Sequence, residues 1–174
     1  MTLPSIDRER ARLRALALSD AAALFAAYGD REVCRYWSRD AYESVEETAE
    51  AVAWEIENGT SWAIVDRAGT EDAVGRISLF RGRSPGVFEV GIILARPAWG
   101  CGLARQALDA AVAYGFDALD AHRIFADIDP DNVASVRLFE RAGFVREGFL
   151  RQAWKTHLGL RDTVILGLLK ADRA

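Results

Sequence analysis

Residues 87–119 constrain the fold more than any other stretch, because an apolar run, a glycine turn and an amphipathic run follow one another directly. Val87 to Leu94 reads as a strand and stops at Arg96-Pro97. Trp99-Gly100-Cys101-Gly102-Leu103-Ala104 is a turn of small residues behind one tryptophan. Leu103, Ala107, Leu108, Ala111, Val112, Phe116 and Leu119 then recur at spacings of three and four, which predicts a helix over 103–119. In a strand, glycine turn and helix of this order, the first N–H groups of the helix have no internal partner. The macrodipole places about half a positive charge there. The natural occupant of such a turn is an anion, phosphate above all.

Two familiar phosphate loops do not fit. A P-loop has a lysine and a hydroxyl residue directly after its second glycine, where this chain has Leu103 and Ala104. A dinucleotide fingerprint counted from Gly100 needs a small third residue for helix-on-strand contact, and that position is Arg105. The turn instead resembles the pyrophosphate loop of the GNAT superfamily of N-acetyltransferases: arginine or glutamine, two residues, glycine, one residue, then glycine or alanine. Tryptophan stands at the first place here, and with Pro97-Ala98-Trp99-Gly100 this is similar to the RimJ/RimL-type branch. On this stretch alone, an ordinary strand-to-helix turn with two glycines stays open.

At 174 residues with 51% hydrophobic side chains, one domain with its own core is expected, and disorder is excluded. A formal net charge of -4 argues against a nucleic-acid partner. Cys34 and Cys101 are isolated thiols without metal spacing, and with only His122 and His157 beside them no metal site is expected. The start carries Arg8, Glu9, Arg10, Arg12 and Arg14 before any apolar run, unlike a signal peptide, and no run is long enough to span a membrane. The expected location is the reducing cytoplasm.

In chain order, residues 8–16 alternate like a half-buried strand. Ser19-Asp20 offers an N-cap to Ala21–Tyr28, which Gly29 ends, and Ser44 with Glu47 has capping-box spacing for a helix reaching Asn58-Gly59. Strands are predicted at 61–66, 73–81 and 87–94, with turns short enough for an antiparallel meander. After the helix come a strand at 123–128, a helix at 133–142 closed by Gly143, and a hairpin of strands at 144–154 and 161–170. The order β-α-α-β-β-β-α-β-α-β-β is an α/β layered domain: a mixed, mostly antiparallel seven-stranded sheet with helices on both faces.

Residues 131–144 supply the second motif. On the predicted helix Asn132, Ser135 and Phe139 share one face, while Val133, Val136 and Leu138 are left for the core. Asn132, two residues, Ser135 and the ending Leu138-Phe-Glu-Arg-Ala-Gly-Phe144 resemble the second GNAT signature, in the family's order and about 30 residues after the first. The resemblance spans roughly residues 8–170, so the whole of 1–174 is expected to be a single acetyltransferase domain.

The resemblance implies transfer of an acetyl group from acetyl-CoA to a primary amine by direct attack, without a metal. It places the N–H groups of Trp99, Gly100, Cys101, Gly102, Leu103 and Ala104 on the diphosphate, free main-chain groups around Ile93 and Leu94 on the pantetheine amides, and Asn132 and Phe139 along the same arm. Arg105 or Arg141 could meet a phosphate, the alternative for each being a solvated charge. Gly91 inside the strand is consistent with a bulge, or with close packing.

Strand alternation puts Glu89 with Gly91 and Ile93 near the reacting end, as candidate general base through a water; a surface or ion-paired glutamate is the alternative. Many relatives have tyrosine where this chain has Phe139, and phenylalanine cannot protonate a leaving thiolate. Ser135, one turn earlier, is the remaining candidate acid and also a candidate cofactor contact. Tyr36, Trp37 and Trp154 are candidate walls of an amine cleft through cation–π attraction. The Cys101 sulfur is expected to be a spectator.

The leading acceptor is a protein or peptide N-terminal amine. Alternatives are a polyamine or aminoglycoside, hinted at by Glu43 to Glu47, and a CoA-binding module without catalysis. A homodimer through the sheet edge or the C-terminal hairpin is compatible with the pattern.

Overall fold

The computed structural model describes residues 3–173. Within them eight strands form one sheet, side by side in chain order except that the last strand lies inside the one before it. The first half of the chain contributes β1 (Ile6–Asp7), β2 (Ala11–Ala15), α1 (Ala21–Tyr28), α2 (Val45–Asn58), β3 (Gly59–Asp66), β4 (Ala73–Arg81) and β5 (Val87–Leu94). The second half adds α3 (Leu103–Ala118), β6 (Arg123–Ile128), α4 (Val133–Arg141), β7 (Val145–Thr156) and β8 (Gly159–Leu169).

Every pairing is antiparallel except β5 with β6. The expected element order therefore holds, with one strand more than predicted. The alternating run at 8–16 is broken by a turn in which Arg8 N–H donates to Ala11 O (2.8 Å), so its start becomes the two-residue edge strand β1. Where the sequence is most strongly patterned, the bounds of β4, β5 and β6 coincide with those expected.

Strand alternation separates two apolar layers. Trp62, Ile64, Ile77, Leu79, Phe88, Val90 and Ile124 face α3 and α4, and pack with Leu103, Ala107, Leu108, Ala111 and Phe116. On the opposite face, α1 and α2 bring Leu24, Ala27, Tyr28 and Val52 onto Ala63 and Ile93. Ser44 caps α2 as expected, accepting from Glu47 N–H (3.2 Å). The reciprocal bond differs, because the Glu47 carboxylate takes Glu43 N–H (2.9 Å) rather than that of the cap residue.

The second layer also holds a buried polar cluster. Arg76 on β4 forms an ion pair with Glu55 on α2 at 2.7 Å, with side chains only 3% and 6% exposed. The Tyr28 hydroxyl donates to Glu55 (2.6 Å) and accepts from Arg76 Nε (2.9 Å). Burial pushes the Tyr28 hydroxyl pKa well up, so it remains a donor at all physiological pH. Breaking one side of such a pair strands a charge in the interior. Glu55→Ala is expected to cost about 3–5 kcal/mol of unfolding free energy, and the double replacement Glu55→Met with Arg76→Met much less. Urea denaturation of the three proteins measures the difference.

Candidate active site

The parallel pair β5–β6 is bridged only at Val87 with Arg123, Phe88 with Ile124 and Glu89 with Phe125. β5 continues to Leu94 and β6 to Ile128, so past Glu89 the two strands part and leave a wedge. Ala95 N–H donates to Val74 O (2.9 Å), which sets the alternation of β5 against β4. Glu89, Gly91 and Ile93 turn their main-chain groups to β4; Val90, Ile92 and Leu94 turn theirs towards the wedge. The expectation for Ile93 is thus corrected by one residue: Ile92 and Leu94 face the gap, while the Ile93 side chain is buried under α1 and α2. Leu94 O already accepts from the Trp99 indole Nε1 (2.9 Å), which ties the following turn back to the strand.

Gly91 is not a bulge either, since the β4–β5 register runs unbroken from Gly75 with Leu94 to Arg81 with Phe88. Its role is close approach: a Cβ built there would stand 3.2 Å from Arg76 Nη1.

The turn at the open end of the wedge has the geometry of an anion cradle. Gly100 and Gly102 adopt φ of +74° and +83°, and no atom lies within 4 Å of where their side chains would start. Gly102 is the N-cap of α3 and offers no side-chain cap. Among the described residues no acceptor meets the N–H groups of Gly100, Cys101, Gly102, Leu103, Ala104 or Arg105, but that of Trp99, expected with them, is taken by Arg96 O (3.0 Å), because the preceding 3-10 turn closes on it. These free donors, at the start of a helix of 16 residues, suit an anion. The Cys101 thiol turns away and donates to Ala98 O (3.0 Å). Arg105 is held by Asp109 (2.8 Å) and donates to Arg141 O (2.6 Å), and both arginines lie on the exposed surface.

From the vertex of the wedge a cleft of about 250 Å³ opens between the parted strands, lined by residues of β4, β5, β6, α4, the β7–β8 hairpin and the segment Tyr36–Ser38. Glu89, Ser135, Asn132, Phe139, Tyr36, Trp37 and Trp154, all singled out from sequence, line it together. The cradle residues 99–105, Ile93, Leu94 and Arg141 lie outside it. Asn132 caps α4 by accepting Ser135 N–H (3.2 Å). Phe139 is core as well as cleft wall, packed edge-on against Phe144 with centroids 5.0 Å apart. Val133, expected in the core, is 49% exposed because the short helix turns that side to solvent.

Sequence reading missed Arg76, Asp127, Asp129 and Arg161, which also line the cleft. An arginine inside the apolar run of β4, and Asp127 alternating with the apolar Ala126 and Ile128 on β6, were the available signals. Asp129 is neutralised by Arg161 (2.7 Å). Burial favours its neutral form, yet the bonds from Arg161 and Asp131 N–H hold its pKa below the usual range. Asp127 accepts from Trp154 Nε1 (3.0 Å) and from the Thr163 hydroxyl. Glu89 has no hydrogen-bond or ion-pair partner among the described residues. Burial pushes its pKa up, and the charge of Asp127 adds to the shift. The acidic stretch Glu43 to Glu47 does not reach the cleft; Glu43 and Glu47 border a separate surface hollow with Arg31 and Arg39. No group of three or more His, Cys, Asp or Glu among the described residues is placed to hold a metal ion.

Comparison with known proteins fits this geometry. Residues 10–145 match the family model described as "Acetyltransferase (GNAT) domain". The chain is 31% identical over 173 residues to YoaA, an uncharacterized N-acetyltransferase of Bacillus subtilis (strain 168), covering 96% of this chain and 97% of the relative. It resembles a crystal structure of spermidine N-acetyltransferase from Vibrio cholerae in complex with CoA and spermine, with a TM-score of 0.82 at 26% identity, over 95% of this chain and 98% of that one. A GNAT-family acetyltransferase from Bacillus anthracis shares the fold, with a TM-score of 0.88 at 23% identity, over 98% of this chain and 100% of that one. The splayed strands, the free amides and the match over 10–145 converge: the chain belongs to the GNAT family and is an acetyl-CoA-dependent N-acetyltransferase.

Proposed function

We propose that this enzyme acetylates the α-amine of a protein or peptide N-terminus, as the RimJ/RimL-type enzymes do, with Glu89 as general base. One observation carries the reading: Glu89 occupies the last rung before β5 and β6 part, unpartnered and facing the cleft. Acetyl-CoA supplies the activated acetyl thioester. The free N–H groups of the Gly100–Arg105 turn bind its diphosphate, and the main-chain groups of Ile92 and the Leu94 N–H pair with the pantetheine amides as an added strand would. From Leu94 back to Glu89 is five residues, about 16 Å of strand, so an arm entering at the cradle reaches the vertex with its reacting end beside Glu89.

The amine must lose a proton before it attacks. Glu89 takes that proton through a water, and Asp127, two residues past the paired rung on β6, raises the basicity of Glu89 and attracts the ammonium form. The Tyr36, Trp37 and Trp154 rings wall the amine site, while Asn132 and Ser135 offer polar contacts along the arm. No side chain needs to protonate the leaving thiolate. With a thiol pKa near 8.5, the free thiolate is only about 1.4 kcal/mol uphill at pH 7.5.

Ser135→Ala is accordingly expected to raise the KM for acetyl-CoA a fewfold and leave kcat nearly intact, read from initial rates. A loss of kcat of about 100-fold would make Ser135 the acid.

A polyamine is the second reading, favoured by Glu89, Asp127 and Asp162 in the cleft and by the spermine bound to the Vibrio cholerae relative. Thiol release from acetyl-CoA with a peptide N-terminus, spermidine and a simple alkylamine separates them. Preference for the peptide supports the N-terminal reading. Preference for spermidine replaces it, and acetyl-CoA binding without release leaves a CoA-binding module.

A further inference from the structure

Arg76 has a feature that a purely structural ion pair does not require. Its Nε serves both Glu55 (2.7 Å) and the Tyr28 hydroxyl (2.9 Å), whereas Nη1 is buried with no hydrogen-bond partner. An unsatisfied donor on a guanidinium is costly in an interior. Although buried, Arg76 borders the acceptor cleft, under the Trp37 ring, whose centroid lies 4.9 Å from its Cζ. Nη1 points to the spot where Gly91 lacks a side chain, 3.2 Å from a Cβ built there, on the same strand face as Glu89.

We infer that the Arg76 guanidinium edge reads an oxygen of the acceptor, making the enzyme selective for amines that carry a carbonyl or carboxylate beside the amino group. The inference rests on the proposed acetyl transfer at Glu89 and names its substrate class, an α-aminoacyl group. Gly91 and Glu89 are two residues apart on one strand face, roughly 7 Å. An amine held at Glu89 through a water and an oxygen held at the Arg76 guanidinium, which fills the space beside Gly91, fit within that interval. The wall is matched in kind as well: Glu89 and Asp127 face the ammonium, while Arg76, its charge balanced by Glu55, offers the oxygen a hydrogen-bond donor. Arg76 is therefore a specificity residue, and the Glu55–Tyr28 pair, which holds its Nε, positions it.

The test compares acceptors matched except for the oxygen: ethylamine, glycinamide, glycine and spermidine, with the ratio of kcat/KM for glycinamide over ethylamine as the readout. Wild-type enzyme is expected to prefer glycinamide at least tenfold, and Arg76→Lys, which keeps a cation against Glu55, to lose most of that ratio. The double variant Arg76→Met with Glu55→Met serves as a second probe, because it removes the donor without leaving a lone buried charge. A ratio rather than a rate cancels any loss of folded protein. Glycine preferred over glycinamide identifies a free amino acid; the reverse identifies a peptide N-terminus.

A second arm does not depend on turnover: calorimetric binding of N-acetylglycinamide and N-ethylacetamide to the CoA-loaded protein. Tighter binding of the former by wild type but not by Arg76→Lys supports the inference even if no amine releases thiol, a result that would sink only the proposed chemistry. An unchanged ratio in both variants, no wild-type preference for the oxygen-bearing ligands, or a fall shared equally by all acceptors overturns it.

Discussion

Glu89→Gln is expected to lower kcat/KM for the acceptor amine by about 100-fold or more near neutral pH, with acetyl-CoA binding retained. Glutamine keeps the size and polarity of the side chain and removes only its ability to take a proton. In the wild type the acid limb of the pH–rate profile should lie above the ordinary glutamate range, because burial and then Asp127 raise the Glu89 pKa. Asp127→Asn should move that limb to lower pH, and Glu89→Gln should flatten it.

The same shift has the opposite sign for stability. A carboxyl whose folded pKa exceeds its unfolded value binds protons more tightly when folded. Its contribution is favourable at low pH and is lost as pH rises through the folded pKa. Glu89→Gln should therefore be neutral or stabilising at pH 7 while it removes activity. A variant that is both unfolded and inactive would instead make Glu89 a structural residue.

The second large effect is expected at Gly102→Val, which should weaken acetyl-CoA binding by about 30-fold or more, from about 1–3 kcal/mol of local strain together with the misdirected amides. Gly102 has φ +83° as the N-cap of α3, a conformation that a β-branched residue adopts only under strain. Nothing lies within 4 Å of the new Cβ, so the substitution does not crowd the core. The turn must rearrange and the N–H groups of residues 102–104 lose their common aim. Acetyl-pantetheine, which lacks the diphosphate, separates this from general damage. Its affinity should change little in Gly102→Val, whereas a parallel fall for both ligands would place the defect in the wedge.

How much of this was legible beforehand follows from what local pattern encodes. The geometry of the turn was legible because it lies in the backbone: glycine spacing, the preceding strand and the following helix are all sequence-adjacent. So were Asn132, Ser135 and Phe139, which share one helix face at fixed intervals. Glu89 was legible as facing the cleft, since alternation along β5 is a local rule. The partner that raises its pKa was not, because Asp127 meets it only when β6 is laid parallel to β5 after a helical crossover. Arg76 was hidden for the same reason. It reads as a polar break in an apolar strand until α1 and α2 supply Tyr28 and Glu55 from 48 and 21 positions away in the chain. Ile93 was misplaced by one residue because direction along a strand depends on which neighbour holds each hydrogen bond. That follows from the Ala95–Val74 bond rather than from composition. Of the two readings open for Gly91, a bulge or close packing, the structure has the second: a neighbouring strand's arginine fills the space where a side chain would start.

A crystal structure grown with acetyl-CoA tests the cradle and wedge together most directly. The expected result is diphosphate oxygens at hydrogen-bond distance from the N–H groups between Gly100 and Arg105, with the pantetheine amides on the free main-chain groups of Ile92 and the Leu94 N–H and the thioester beside Glu89. A diphosphate bound away from that turn, or an arm that bypasses the gap between β5 and β6, would contradict it.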